Sequence, residues 1–321
     1  MKTLKDTIHQ LTLPTPYAVG DVHTYLLEGE MLTLVDAGIK TKEAWKSLQV
    51  QLKQLGYRSQ DVEQIILTHH HPDHMGLIEY FPHVRNVAAH PKLRPWLERE
   101  DRFFIKYEQF FEEMYFEAGV PSSYFHLLKG LRKPLQWSSQ GTLSQELLEG
   151  DHLPGHTDWQ VIETPGHAQS HLSFVRETDG AMIGGDHLLA HISSNPLLEP
   201  SYTEGEGRPK PLLQYRNSMQ KLADYTIDTV YPGHGKRFGQ VVELIENRLK
   251  RQEERAHKVL GMIEEAPLRA YEVCEKLFPK QMESQFGLTM SETIGQLDYL
   301  EGQHLVETTK EDRQKIYYVN R

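Results

Sequence analysis

Short apolar runs, each closed by a polar or glycine-containing turn, dominate roughly the first two thirds of the chain. Residues 22–27 and 31–35 alternate as two strands across the turn Glu28-Gly29-Glu30. Residues 41–55 then switch to helical spacing, with Ala44, Trp45, Leu48, Leu52 and Leu55 on one stripe, Thr41 as N-cap and Gly56 as stop. The run 64–67 returns to strand character, and 84–89 repeats it. Strand, helix, strand is the succession of an α/β protein. Strands come back at 159–163, 171–175, 181–183 and 229–231, and all but the second end in a Gly-containing turn followed by His or Asp. Glycine there permits a sharp bend and close backbone approach.

Two regions break this rhythm. From about 92 to 147, Trp96, Phe103, Phe104, Tyr107, Phe110, Phe111, Met114 and Tyr115 recur at helical spacing with few β-branched neighbours. This predicts a helical insertion, with its aromatic stripe packed against the sheet or shaping an apolar substrate pocket. From 240 onward come a long helix (240–263), two shorter ones (271–277 and 291–303) and two strand-like pieces (305–306 and 316–319), in winged-helix order. The domains expected are therefore 1–239, a catalytic α/β unit carrying the insertion, and 240–321, a linking helix with a winged-helix-like tail.

Composition narrows the class. Hydrophobic content of 38% and charged content of 25% suit a globular chain long enough to bury a sizeable core. One cysteine, Cys274, cannot form an internal disulfide, which points to a reducing, cytoplasmic setting. The first sixteen residues carry Lys2 and Lys5 without an unbroken apolar core, so no signal peptide is expected, and no run has the length of a membrane span. A formal charge of −10 repels nucleic acid and anionic membrane alike. In the tail, twelve Lys or Arg face fifteen Asp or Glu, and residues 291–303 carry Glu292, Asp298 and Glu301 without a cation. Such a helix is ill suited to phosphate, so the tail is expected to pack on the catalytic domain or on a second copy in a homodimer.

Candidate chemistry centres on Thr68-His69-His70-His71-Pro72-Asp73-His74, directly after the strand at 64–67. Four ligand-type residues in six suit zinc or another borderline divalent ion, although a solvated histidine-rich loop has the same composition. His167, Asp186 and His234 follow the later strands. Assembled, they make a two-ion site: His69, His71 and His167 on one ion, Asp73, His74 and His234 on the other, and Asp186 between. Two such ions make hydroxide available at neutral pH and polarise a carbonyl or phosphoryl oxygen. A bridging hydroxide would attack the scissile bond, with Asp73 holding or accepting its proton. Asp36, at the end of an early strand, is placed to orient a ligand histidine or to cap a turn. Ser193, Ser194 and Asn195 could touch substrate, although a turn opened by Asn195-Pro196 explains them more readily. His70 is expected to point away from its ligand neighbours.

The set Asp36, His69-x-His71-x-Asp73-His74, Pro165-Gly166-His167, Gly185-Asp186 and Pro232-Gly233-His234-Gly235 resembles the metallo-β-lactamase-fold hydrolases, in the same motif order from about 12 to 239. The resemblance implies a four-layer αββα sandwich with the site at one edge of two sheets. His171 resembles a residue that follows the third motif in this family, which leaves a part beside the ligands or at the substrate as open as a structural one. The tail looks like that of the branch containing the mitochondrial β-lactamase-like endoribonuclease and bacterial glyoxalase-like hydrolases. Asp186 stands where the commonest true β-lactamases carry Cys, which argues against β-lactam resistance, and His71 is retained where flavodi-iron members carry Glu. What remains is a hydrolase holding two Zn2+, with Mn2+ or Fe2+ also compatible. It would cleave an ester or thioester of a small acyl substrate, with phosphodiesterase, endoribonuclease or lactonase chemistry as alternatives served by the same ligands.

Overall fold

The computed structural model describes residues 7–319, so Lys2 and Lys5 lie outside the described residues. The chain forms two compact units. The first comprises the described part of Met1–Glu100 with Arg132–Ser194 and Leu222–Val241; the second comprises Asp101–Leu131, Asn195–Lys221 and the described part of Val242–Arg321.

In the first unit, one sheet orders β1 (Thr7–Leu13), β2 (Val22–Glu28), β3 (Leu32–Val35), β4 (Gln64–Ile66), β5 (Asn86–Ala89) and β6 (Gln145–Glu146) side by side. The first three run antiparallel, and β3 to β6 run parallel. A second sheet orders β11 (Thr229–Pro232), β10 (Ala181–Gly185), β9 (Leu172–Arg176), β8 (His156–Glu163) and β7 (His152–Leu153). Only its β10–β11 pair is parallel.

Period-two alternation decides what each face buries. Tyr25, Leu27, Val35, Ile66 and Ala88 of the first sheet join Trp159, Val161, Phe174 and Ile183 of the second in one core. Their neighbours Leu26, Leu34, Ile65, Val87 and Ala89 turn to the opposite face and meet α1 (Lys42–Gln54) through Ala44, Leu48 and Leu52. Thr41 caps α1 by accepting the Ala44 amide N–H, as its sequence signature predicts. Two short helices follow, α2 (Pro72–Met75) and α3 (Arg94–Leu97). This is the mixed α/β sandwich expected above. Strands β1, β6 and β7 were not expected from the sequence; the last two have two residues each, too few for a periodic signal.

The second unit contains α4 (Asp101–Glu117), α5 (Pro211–Ala223, up to Lys221), α6 (Val241–Glu265, from Val242), β12 (Leu268–Arg269), α7 (Ala270–Leu277), α8 (Phe286–Gly302), β13 (Val306–Glu311) and β14 (Gln314–Val319). The segment read as one insertion is thus shared out: α4 and the tight turns of Ser122–Gly130 fall in the second unit, whereas α3 and residues 132–147 fall in the first. The aromatic stripe of α4 lies in the second unit. Phe111, Met114 and Tyr115 pack with Ala256 and Val259 of α6, Val273 of α7 and Met290 and Ile294 of α8. Helix α5 was not predicted, although Leu212, Tyr215, Met219 and Leu222 stand at helical spacing and are buried. Strands β12, β14 and β13 form an antiparallel sheet in that order.

Helix α8 is buried along most of its length. Its acids are engaged inside the unit: Glu292 with Arg255 at 2.6 Å, Asp298 with both terminal nitrogens of Arg208 at 2.6 and 2.8 Å, and Glu301 with Lys315 at 3.3 Å. Gly295 lets α5 approach, since a Cβ there would lie 2.8 Å from Leu212 Cβ. Among the described residues, no helix is long and apolar enough to cross a membrane.

Candidate metal centre

Four strand ends of the first unit deliver the side chains predicted from sequence. After β4, Leu67 and Thr68 lead into His69, and Pro72 opens the single turn of α2 at the position where a missing N–H costs nothing. That turn carries Asp73 and His74, with His71 at its N-cap position. β8 ends in Pro165-Gly166-His167, β10 in Gly185-Asp186 and β11 in Pro232-Gly233-His234. Glycine is required at Gly233, where a Cβ would fall 2.1 Å from Asp186 Oδ1 and 2.8 Å from the His74 ring.

The seven side chains converge. Their nitrogen and oxygen atoms form three overlapping groups, each within 4.8 Å: His69, His71 and His167; His69, His74 and Asp186; Asp73, His74 and His234. Asp186 lies at the centre, with Oδ1 3.4 Å from His74 Nε2 and Oδ2 3.6 Å from His167 Nε2 and 3.5 Å from His234 Nε2. On the far side, Asp73 Oδ2 is 3.3 Å from His234 Nε2. Two of these groups are the triads read from sequence, and the third joins Asp186 to one histidine of each.

The donor set fits a divalent cation on two counts. His74 Nε2 and Asp186 Oδ1 are fully buried and make no hydrogen bond among the described residues, although they face each other. Buried polar atoms are ordinarily satisfied, so atoms aimed at a common point without hydrogen bonds have the arrangement of ligands. The second count is electrostatic. Burial, with the neighbouring rings, pushes His69 and His71 well below the usual imidazole range, leaving the neutral form that coordinates metal. Burial also opposes charge on His74 and His234, but Asp186 and the other nearby carboxylates outweigh it, and His234 is pushed up to about 10. For Asp186, burial acts upward and is overcome by His234 and His74, which hold the carboxyl well below its ordinary value. Carboxylates that recruit two cationic rings in this way also favour a divalent cation, whose binding releases those protons.

Asp36 orients part of this cluster. Its Oδ1 accepts the Thr68 amide N–H at 2.8 Å, and its Oδ2 accepts the Thr68 hydroxyl and the His74 Nδ1–H, each at 2.8 Å. The proton on His74 is thereby fixed on Nδ1 and Nε2 is directed into the site. Asp36 adopts φ 62°, a strained value for a residue with a Cβ, and is held there by the tie of its own N–H to Ile66. His171 also borders the cluster: its Nε2 accepts the Asp186 amide N–H at 3.1 Å, so its Nδ1 carries the proton and donates to Thr164 Oγ1 at 2.8 Å. His70 turns away, hydrogen-bonded with Ser170 at 2.8 Å and stacked on Trp96 with centroids 4.1 Å apart.

Ser193 is exposed, and Asn195 is partly buried at the start of the second unit. Of the three, it is Ser194 that is buried, with its hydroxyl donated to the Asp186 carbonyl. Tyr17 is a residue that sequence reasoning passed over. It is half-buried and close enough to Asp73 to sense its charge, and burial first and Asp73 second push its phenol up to about 12. It therefore remains a hydrogen-bond donor at neutral pH. No periodicity marks Tyr17.

A family model described as the metallo-beta-lactamase superfamily matches residues 17–234. The probable metallo-hydrolase YqjP of Bacillus subtilis is 41% identical over 304 residues, covering 95% of each chain. A beta-lactamase-like protein 2 homolog of Caenorhabditis elegans is 24% identical over 253 residues, covering 78% of this chain and 68% of its own. Among solved structures, a metallo-beta-lactamase family protein of Thermus thermophilus superposes with a TM-score of 0.81 at 27% identity, covering 98% of each chain. A beta-lactamase domain protein of Burkholderia ambifaria gives a TM-score of 0.79 at 21% identity, over 99% of this chain and 96% of its own.

Proposed function

The chain belongs to the metallo-beta-lactamase superfamily, and from that premise we propose a metal-dependent hydrolase that holds two zinc ions and cleaves an ester or thioester of a small acyl substrate. The observation that carries this reading is the convergence of seven histidine and aspartate side chains into overlapping groups within 4.8 Å. His69, His71 and His167 would hold one ion, Asp73, His74 and His234 the other, and Asp186 would serve both. Imidazole and carboxylate donors suit zinc, with manganese and ferrous iron as substitutes. Two divalent ions bound there supply Lewis acidity and a water-derived nucleophile at neutral pH.

The chain's own residues perform the remaining work. Asp36 keeps His74 in the tautomer that presents Nε2. Asp73 is the carboxylate that holds or accepts the proton of the attacking water. His171 supports the Asp186 backbone through the Thr164 hydroxyl. The acyl reading is favoured over RNA cleavage by the net charge of −10 and by the engagement of Glu292 and Asp298 with Arg255 and Arg208 inside the second unit. The connectivity of α6, β12, α7, α8 and the β13–β14 hairpin supports a winged-helix-like tail used for packing, within the chain or in a homodimer. The single cysteine, buried at Cys274, supports a cytoplasmic setting.

The test is turnover by the zinc-loaded chain on thioesters, esters, lactones, phosphodiesters and single-stranded RNA, with His71→Ala alongside. The acyl compounds are expected to be hydrolysed fastest. His71→Ala should lose at least about 100-fold on the best of them, because partners outside the ligand shell are already worth roughly 10- to 100-fold. Preference for a phosphodiester or RNA would overturn the substrate class, and an unimpaired His71→Ala would overturn the site.

A further inference from the structure

Seven ligands account for the cluster but not for what holds its most loosely built corner. His234 stands between Gly233 and Gly235, the second of which has φ 82°. A loop flanked by two glycines has wide conformational freedom, and ordering it costs more than ordering other residues. Space is closed to a side chain at Gly233, so the loop cannot be stiffened from within. The Gly233 N–H donates to the Gly185 carbonyl at 2.6 Å, which anchors its first residue only.

The rest of the anchoring comes from the start of β2. His23 lies on the same face of that strand as Tyr25 and Leu27, the face turned to the second sheet. Its backbone N–H donates to the Gly233 carbonyl at 2.7 Å, and its ring Nε2–H donates to the Gly235 carbonyl at 2.6 Å. Since a carbonyl can only accept, the ring proton sits on Nε2, and Nδ1 accepts the hydroxyl of Thr12, its cross-strand partner on β1, at 3.0 Å. One residue therefore grips the carbonyls on both sides of His234. Val22 pairs with His234 itself, and the His234 Nδ1–H donates to the Asp21 carbonyl at 2.8 Å. Tyr25 completes the seat by donating its hydroxyl to the Pro232 carbonyl at 2.7 Å.

We propose that His23 is a positioning residue for the ion held by Asp73, His74 and His234, acting through the two loop carbonyls that bracket His234. This rests on the reading of His234 as a ligand. Without the imidazole donor, the Gly235 carbonyl loses its partner and His234 is held from one side only, through Asp21, Val22 and Gly233, while His69, His71 and His167 stand on other loops. The loss should therefore fall on one ion and spare the other.

Calorimetric titration of the chelator-stripped full chain with Zn2+ tests this. Wild type should take up two ions. His23→Leu, which keeps bulk and removes the donor, should keep one at wild-type affinity and bind the other about 10- to 100-fold more weakly, the usual effect of removing a partner of a ligand. His23→Gln, whose side-chain amide can reach the place of the imidazole Nε2–H, should restore most of that affinity and guards against a general folding defect. In a His234→Ala background, His23→Leu should cause no further loss, because both changes act through the same ligand. Equal affinity for both ions in His23→Leu and wild type overturns the inference, as does weakening of both ions alike or an additive effect in the His234→Ala background. A wild-type chain that takes up no Zn2+ overturns the ligand site and this inference with it, so the two failures are told apart.

Discussion

Replacing Asp186 with alanine is expected to remove both ions and nearly all turnover while leaving the apolar core intact. Its two oxygens lie 3.4 to 3.6 Å from three different histidines, so no other side chain serves both triads. The carboxylate also holds His74 and His234 in their raised state against the cost of burial. Without it, nothing of the candidate set stands between the two triads, and Asp73 is the one carboxylate left in that set to offset the charge of two divalent ions. Binding of both ions and kcat/KM should each fall by well over about 100-fold, since even outer partners of ligands are worth roughly 10- to 100-fold. Asp186→Asn separates shape from charge: it keeps the volume and should bind ions nearly as poorly as the alanine variant. Retention of ions and turnover in either variant would contradict the assignment of Asp186.

The second large effect lies far from the chemistry. Asp298→Ala should destabilise the second unit by about 3 kcal/mol, the lower end of what breaking a buried pair costs when one partner stays behind. Asp298 is almost wholly buried in α8 and takes both ends of the Arg208 guanidinium, whose own side chain is 25% exposed and so can partly rehydrate. Burial pushes Arg208 down, yet Asp298 more than compensates and holds it above its ordinary value. The paired change Arg208→Met with Asp298→Leu should recover most of the loss, because well-packed apolar residues often replace a buried pair at no cost. Urea unfolding followed by far-UV circular dichroism reads this out, since Trp45, Trp96, Trp137 and Trp159 all belong to the first unit. A single variant as stable as wild type would show that the pair contributes nothing net.

The candidate ligand set was legible because its members follow short apolar strands and three of the seven come directly after a glycine, a pattern that survives in one dimension. His69 to His74, His167, Asp186 and His234 are separated by as many as 165 residues, yet each sits where a strand must end. Asp36 was legible for the same reason, whereas its grip on Thr68 and His74 required the third dimension. His23 had no comparable mark: inside Val-His-Thr-Tyr-Leu-Leu it reads as an ordinary strand residue, and its role comes from a loop more than 200 positions away. The aromatic stripe of α4 teaches the converse. Periodicity shows which face of a helix is apolar but not what covers it, and here Phe111, Met114 and Tyr115 pack with α6, α7 and α8. The acidic residues of α8 argued against phosphate binding, but their partners could not be read from sequence: Glu292 and Asp298 are buried against arginines brought in from α6 and from the segment before α5.

The central claim is that seven side chains drawn from four strand ends form one site for two divalent ions. Elemental metal analysis of the full chain, purified without chelator and exchanged into metal-free buffer, tests it most directly. The account predicts about two first-row divalent ions per chain. A content near zero, with no uptake on exposure to Zn2+, Mn2+ or Fe2+, would contradict it.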